Sequence, residues 1–383
     1  MAGTLIINRE DESVSQEVFR GSGHIRGILS KVGAGRVLVI HSGSYSRLPV
    51  KEEIENAGVE LVYYGKISPN PAYEDIREVA ALFESSHCDA IIAVGGGSAM
   101  DTAKMVKLFA PLDSEIDYLG QTFIDSDIPL IAIPTTAGSG SEATRFAIYY
   151  LKGEKQSLAH KSLMPDYVIL EPEVLRSLPM YQKKCCFLDA LCQAIESWWS
   201  VQSTDQSREY AKKAIALLMK DMDAYLDEGA RPSALTLANI MDGANYAGMA
   251  INFTQTTAPH AMCYKLTSLY GLPHGHAVVI CVPVVWRFML NNIKTCEDPR
   301  GLAHVENVFW DISREMGFDT VEGAIKGLSD MLVRLDIKAP QGATDGEFAA
   351  LVASVNPDRL KNSPVPIDAA AVSELYKAVL GMR

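Results

Sequence analysis

Ala93-Val-Gly-Gly-Gly-Ser-Ala-Met-Asp-Thr-Ala-Lys104 sets three glycines after a short apolar run, with Ser98 and Asp101 at the spacing of a helix N-terminal cap. The pattern is that of a strand turning sharply into a helix. Lacking side chains, Gly95, Gly96 and Gly97 let the backbone approach a pyrophosphate, and free N–H groups at the positive end of a helix attract the anion. A tight turn without a ligand fits the same letters. A second turn, Pro134-Thr-Thr-Ala-Gly-Ser-Gly-Ser-Glu142, again follows an apolar run. The hydroxyls of Thr135, Thr136 and Ser139 can reach phosphate or ribose there, or cap their own helix. Two such turns after neighbouring strands favour a nucleotide site.

Outward from these turns, short apolar runs recur at residues 36–40, 59–64, 89–94, 129–133, 146–151 and 167–170, several of them separated by helical stretches. This alternation predicts an α/β, Rossmann-like parallel sheet that binds ligands beyond the carboxyl ends of its strands. After Pro172 the pattern becomes helical, as at 185–200, 207–226 and 235–250. The expected organisation is a dinucleotide-binding domain over residues 1–180 and an all-α metal and substrate domain over residues 181–383, with the site in the cleft between them. Residues 339–346 read as a connecting loop.

With 383 residues, 48% of them hydrophobic, the chain can bury a large core. A formal charge of −12 without a Lys/Arg cluster speaks against nucleic acid as a partner. Seven cysteines with no C-x-x-C pair read as reduced thiols, which fits the cytoplasm. The N-terminal residues show no basic region followed by a long apolar run, and no later segment offers 18 uncharged apolar residues, so neither export nor membrane insertion is expected.

Asp189 and Gln193 stand four apart in a helical stretch and share one face. His260 and His274 follow from two elements, because Tyr270-Gly-Leu-Pro273 breaks the chain between them. Imidazole nitrogens with a carboxylate oxygen suit zinc or ferrous iron with a position left for substrate, although each residue alone could equally be a hydrogen-bonded core group. Cys192 would face elsewhere on the helix.

The stretches GGGSAMDTAK, PTTAGSGSE, DALCQAIES and APHAMCYKLTSLYGLPHGHA, in this order, resemble the iron-containing (group III) alcohol dehydrogenase family over essentially the whole chain. The resemblance implies NAD(P)-linked hydride transfer beside one divalent metal, Zn or Fe(II) with Mn admissible, in a homodimer or higher homo-oligomer. It places the metal ligands on Asp189, Gln193, His260 and His274, and the pyrophosphate and nicotinamide contacts on Gly95 to Ser98 and Asp101. Thr135, Thr136 and Ser139 match the second nucleotide turn, Asn70 the family's PNP element, and Lys155 a lysine near the nicotinamide ribose.

Three departures stand out. Gln193 replaces the usual second histidine ligand, which leaves the metal open. Ser42, with Arg47 nearby, stands where an acidic residue usually repels a 2′-phosphate; NAD(H) is favoured over NADP(H), with both admitted. The run Asn252-Phe-Thr-Gln-Thr-Thr-Ala-Pro259 is unusually polar before His260 and suggests an anionic substrate held by hydrogen bonds. Thr256, Thr257, Phe253, Arg145, Lys161 and Lys265 are the candidate substrate contacts. The TTAPHA and YGLPHGHA pieces also look like the branch that includes phosphonoacetaldehyde and sulfoacetaldehyde reductases. Tyr264 takes the place of a further family histidine, and it or His276 would relay a proton or shape the pocket beside His274. The expected activity is reduction of a small anionic aldehyde, sulfoacetaldehyde to 2-hydroxyethanesulfonate first, then phosphonoacetaldehyde. A general alcohol or diol dehydrogenase and a dehydroquinate-synthase-like lyase are the alternatives.

Overall fold

Strands that are apolar along their whole length become the middle of a sheet, because a parallel sheet covered on both faces has no solvent side. In the computed structural model, which describes residues 3–9, 12–229 and 231–382 and side chains from residue 15 onward, Val37 to Ile40 and Ala90 to Val94 are completely buried. They belong to β3 (Arg36–His41) and β5 (Ala90–Gly95). Around them lie β1 (Gly3–Arg9), β2 (Glu12–Arg20), β4 (Glu60–Tyr64), β6 (Leu130–Pro134) and β9 (Tyr167–Leu170), in the order β1-β2-β9-β6-β5-β3-β4. Every pairing is parallel except β1 with β2, so six parallel strands carry one antiparallel edge strand.

This order fixes where a ligand can bind. From β3 the chain moves outward to β4, whereas from β5 it moves the opposite way to β6, so β3 and β5 flank the point where the winding reverses. A crevice opens at the carboxyl ends of such a strand pair. Ser42 follows β3 there, its N–H donating to the Val94 carbonyl of β5 at 3.0 Å.

One run read as a sheet strand lies elsewhere. Residues 146–151 form β7 (Phe146–Leu151), which pairs antiparallel with β8 (Glu154–Ala159) in a separate two-stranded sheet. The cause is the two-residue turn Lys152-Gly153, both at positive φ (53° and 81°), which folds the run back on the next segment.

The chain forms two compact units, Met1–Leu178 with Pro232–Met241, and Pro179–Arg231 with Asp242–Arg383. The second is helical; among the described residues no strand lies beyond Leu170. Its helix Met180–Trp199 is buried without a break from Cys185 to Trp199, as a helix enclosed on all sides must be. Helix Ala258–Tyr270 stops at Gly271, whose φ of 65° is left-handed, and Pro273 starts helix His274–Val279. No described helix is long and apolar enough to cross a membrane. All seven cysteines are free thiols.

Candidate active site

At the end of β5, a Cβ on Gly95 would lie 2.6 Å from the Ala99 Cβ, so the turn into helix Gly97–Phe109 closes only with glycine. Cβ atoms on Gly96 and Gly97 would lie 3.3 Å from Thr136 Oγ1 and from Ser139 Oγ. The second turn therefore sits directly against the first. No side chain caps this helix, which leaves its first N–H groups to a ligand.

Asp101 is not the cap that its spacing suggested. Its buried carboxylate accepts from the Ser141 hydroxyl at 2.7 Å and from the Ile148 N–H at 3.1 Å, tying the helix to the second turn and to β7. Burial raises its pKa, while Lys104 and Lys155 oppose the shift. Lys155, on β8, thus lies within electrostatic reach of Asp101. Asn70 occupies a left-handed turn (φ 61°), and the next residue, Pro71, accepts from the Tyr150 N–H of β7 at 2.9 Å.

Sequence reasoning passed over Lys104. Its ammonium is fully buried and donates to Ser141 Oγ (2.9 Å), Thr144 Oγ1 (3.1 Å) and the Phe146 carbonyl (2.7 Å). Burial lowers its pKa to about 8 against the pull of Asp101 and Glu142. Removing it leaves Asp101 buried without its cation. Lys104→Met is expected to cost about 3 kcal/mol in chemical denaturation and to weaken NADH binding as the second turn loosens; unchanged denaturation would show that the ammonium does not brace the turn.

In the second unit, helix Met180–Trp199 presents Asp189 and Gln193 on one buried face. His260 Nε2 lies 3.5 Å and His274 Nε2 4.0 Å from Asp189 Oδ1, and these three residues bring one potential ligand atom each to within 4.8 Å of the others. Gly275 makes this possible. A Cβ there would fall 2.0 Å from the Cys185 carbonyl oxygen and 2.8 Å from the Asp189 Cβ, so the helix carrying His274 packs tightly onto the helix carrying Asp189.

The residue that orients His260 is Glu196, also absent from the sequence-derived candidates. Completely buried, it accepts from His260 Nδ1 at 2.5 Å, the Thr257 N–H at 2.8 Å and the Thr257 hydroxyl at 2.9 Å. With Nδ1 donating to a carboxylate, Nε2 turns its lone pair toward Asp189, where the buried atom has no hydrogen-bond partner. Burial would lower the His260 pKa, yet Glu196 and Asp189 raise it to about 9, which reflects the negative charge gathered around the ring. A nitrogen lone pair facing a carboxylate in an anionic pocket fits a divalent cation held by Asp189, His260 and His274, with Gln193 one helical turn from Asp189.

Several candidate substrate contacts serve other ends. The Thr257 hydroxyl, besides donating to Glu196, accepts from Trp199 Nε1 at 2.8 Å, so its hydrogen bonds lie inside the protein. Asn362 takes the carbonyls of Thr254 (2.8 Å) and Thr256 (3.0 Å), and Thr254 Oγ1 donates to the Gln255 carbonyl at 2.8 Å. The side chains of Thr254 and Thr257 are thus held inside the protein, whereas Thr256, engaged through its carbonyl, is half-buried and Gln255 is exposed. Phe253 is core, packed on Tyr210. Lys161 pairs with Asp125 at 2.6 Å, and Arg145 lies over the Phe146 ring; both belong to the first unit. Lys265 is half-buried and, one residue on from Tyr264, turns about 100° around its helix.

Of the two proton-relay candidates, His276 is held at both nitrogens, by the Tyr181 hydroxyl (2.8 Å) and the Lys338 carbonyl (2.9 Å), which leaves it a structural role. Tyr264 stays at the site, its ring nearly parallel to His274 (8°, centroids 6.1 Å apart). Burial pushes its phenol pKa well above the ordinary value, against Arg359.

Comparison with known proteins establishes the family. Residues 15–172 match the iron-containing alcohol dehydrogenase model, and residues 185–380 match the C-terminal model of the Fe-containing alcohol dehydrogenase family. The chain belongs to the iron-containing alcohol dehydrogenase family. It is an oxidoreductase of alcohols or aldehydes. Phosphonoacetaldehyde reductase of Streptomyces viridochromogenes is 30% identical over 82% of this chain and 81% of its own. Alcohol dehydrogenase 4 of Schizosaccharomyces pombe is 29% identical over 82% and 73%. In fold, this family member is similar to sulfoacetaldehyde reductase from Bifidobacterium kashiwanohense, solved with NAD+ (TM-score 0.84, 24% identity, 96% of this chain and 97% of that one).

Proposed function

We propose that the protein reduces a small aldehyde carrying a sulfonate or phosphonate to the corresponding alcohol, with NAD(P)H as reductant. The observation that supports the chemistry best is the buried group of Asp189, His260 and His274, oriented by Glu196 in a chain whose other unit carries an uncapped glycine turn at a winding reversal. A divalent metal bound there supplies Lewis acidity toward a carbonyl and a bound nicotinamide supplies hydride. The chain's own residues hold and orient. Gly95 to Gly97 and the Thr136 and Ser139 side chains shape the cradle for a pyrophosphate. Glu196 fixes the His260 tautomer, Gly275 sets His274 against Asp189, and Tyr264 keeps its phenolic proton at neutral pH as a hydrogen-bonding wall beside His274.

The anionic substrate class is supported by the 30% identity to phosphonoacetaldehyde reductase, which extends over four-fifths of both chains. With the Thr254 and Thr257 hydroxyls bound internally, Thr256 is the hydroxyl of the run left as a substrate contact, and a strong preference for an anion calls for a cation beside it. The test measures nicotinamide oxidation by metal-analysed protein on sulfoacetaldehyde, phosphonoacetaldehyde and propanal, with NADH and with NADPH. The expected result is kcat/KM at least about tenfold higher for one anionic aldehyde than for propanal. A preference for propanal would return the chain to the general alcohol dehydrogenases.

A further inference from the structure

Helix Pro357–Leu360 carries Arg359, whose Nη1 donates to the Tyr264 hydroxyl at 2.7 Å and whose Cζ lies 5.2 Å from the Tyr264 ring centroid. The contact borders the site, since the same ring lies nearly parallel to His274. Arg359 is half-buried, and among the described residues it makes no ion pair. Its acidic neighbour Asp358 pairs instead with Lys361 at 2.7 Å. The segment is also fixed in place. Asn362 takes the carbonyls of Thr254 and Thr256, and Ser363 Oγ accepts from the Ala258 N–H at 3.3 Å, at the start of the helix that holds His260.

We infer that Arg359 is the residue that selects the anionic end of the substrate, with Tyr264 as the positioning residue that aims its guanidinium. A guanidinium offers five donors in a planar fork, and a single bond to a phenol leaves most of them for a sulfonate or phosphonate. An arginine kept partly from water with no carboxylate to neutralise it is a poor structural prop and a good anion site. This inference rests on the proposed reduction of an anionic aldehyde. It assigns to Arg359 the role that the sequence had offered to Arg145, Lys161 and Lys265.

The experiment compares wild type, Arg359→Met and Arg359→Lys, each metal-loaded. It measures kcat/KM for the preferred anionic aldehyde relative to propanal, and the dissociation constant of 2-hydroxyethanesulfonate by calorimetry in the presence of NAD+. In Arg359→Met the ratio should fall roughly 10- to 100-fold, chiefly through KM, with weaker sulfonate binding to match; Arg359→Lys, which keeps the charge, should recover part of both. Arg359→Gln, which retains a donor for Tyr264, carries the same expectation if the methionine protein does not fold. An unchanged ratio and unchanged sulfonate binding overturn the role of Arg359 alone. So does an equal loss on propanal, which marks a purely structural contact. A wild-type enzyme that prefers propanal overturns the functional reading and this inference together.

Discussion

Gly275→Ala should strip the protein of its metal and lower kcat/KM by at least about 100-fold. The added Cβ would sit 2.0 Å from the Cys185 carbonyl oxygen and 3.0 Å from its carbon, both of them backbone of a buried helix that has no flexible end to swing aside. A carbon normally approaches a carbonyl oxygen no closer than about 3.3 Å, so helix His274–Val279 must withdraw by roughly 1 Å or more. His274 is the residue next to the clash and the first of that helix, so it leaves Asp189 as the helix moves. Overpacking of this kind costs about 1–3 kcal/mol, which a chain of this size should survive. Metal content after dialysis, measured beside thermal unfolding and NADH binding, separates a lost ligand from a lost fold. Full occupancy with wild-type turnover would mean that this helix contact does not set the ligand geometry.

How much of this was legible in the letters depends on the range of the interaction that decides each feature. The glycine turn and the Asp189–Gln193 face are local, fixed by one strand-to-helix turn and by helical period, whereas the approach of His260 and His274 to Asp189 is made by the tertiary fold. Gly271 and Pro273 end one helix and start the next, as their backbone preferences demand. Within the polar run before His260, Thr257 turns to internal partners, because a threonine's spacing does not reveal its partner. Thr257 finds Glu196 from 61 residues away and Trp199 from 58. Run 146–151 was apolar enough for the main sheet, and the Lys152-Gly153 turn was the overlooked signal; β8 carries too few apolar residues to announce itself.

Two omissions had a usable signal. Glu196 stands at i+7 from Asp189 and i+3 from Gln193, on the same face of the buried stretch Cys185 to Trp199, where Ser197 is the only other polar residue. An acid in that position must be paired or ligating. Lys104, likewise, follows Asp101 by three residues inside a buried helix, the spacing of a pair that meets on one face. Neither stands out in the sequence, because residues that hold a site in place carry no motif of their own.

Glu196→Gln should weaken metal affinity about 10- to 100-fold, and Glu196→Ala more severely. The carboxylate satisfies three buried donors, His260 Nδ1 and the N–H and hydroxyl of Thr257. An amide has one acceptor oxygen, so in Glu196→Gln at least one of those donors faces an NH2 group, and the charge that strengthens His260 as a ligand is gone. In Glu196→Ala all three donors lose their acceptor, and loss of one partner from a buried charged pair costs about 3–5 kcal/mol. The two variants should therefore differ in kind. Glu196→Gln keeps its unfolding midpoint within a few degrees and regains turnover as metal is added, whereas Glu196→Ala unfolds early and is not rescued. Metal titration followed by equilibrium binding, independent of turnover, reads the first effect directly. If Glu196→Gln binds metal as the wild type does, the carboxylate is holding only the Thr257 turn, and the orientation of His260 must come from the packing of helix Ala258–Tyr270.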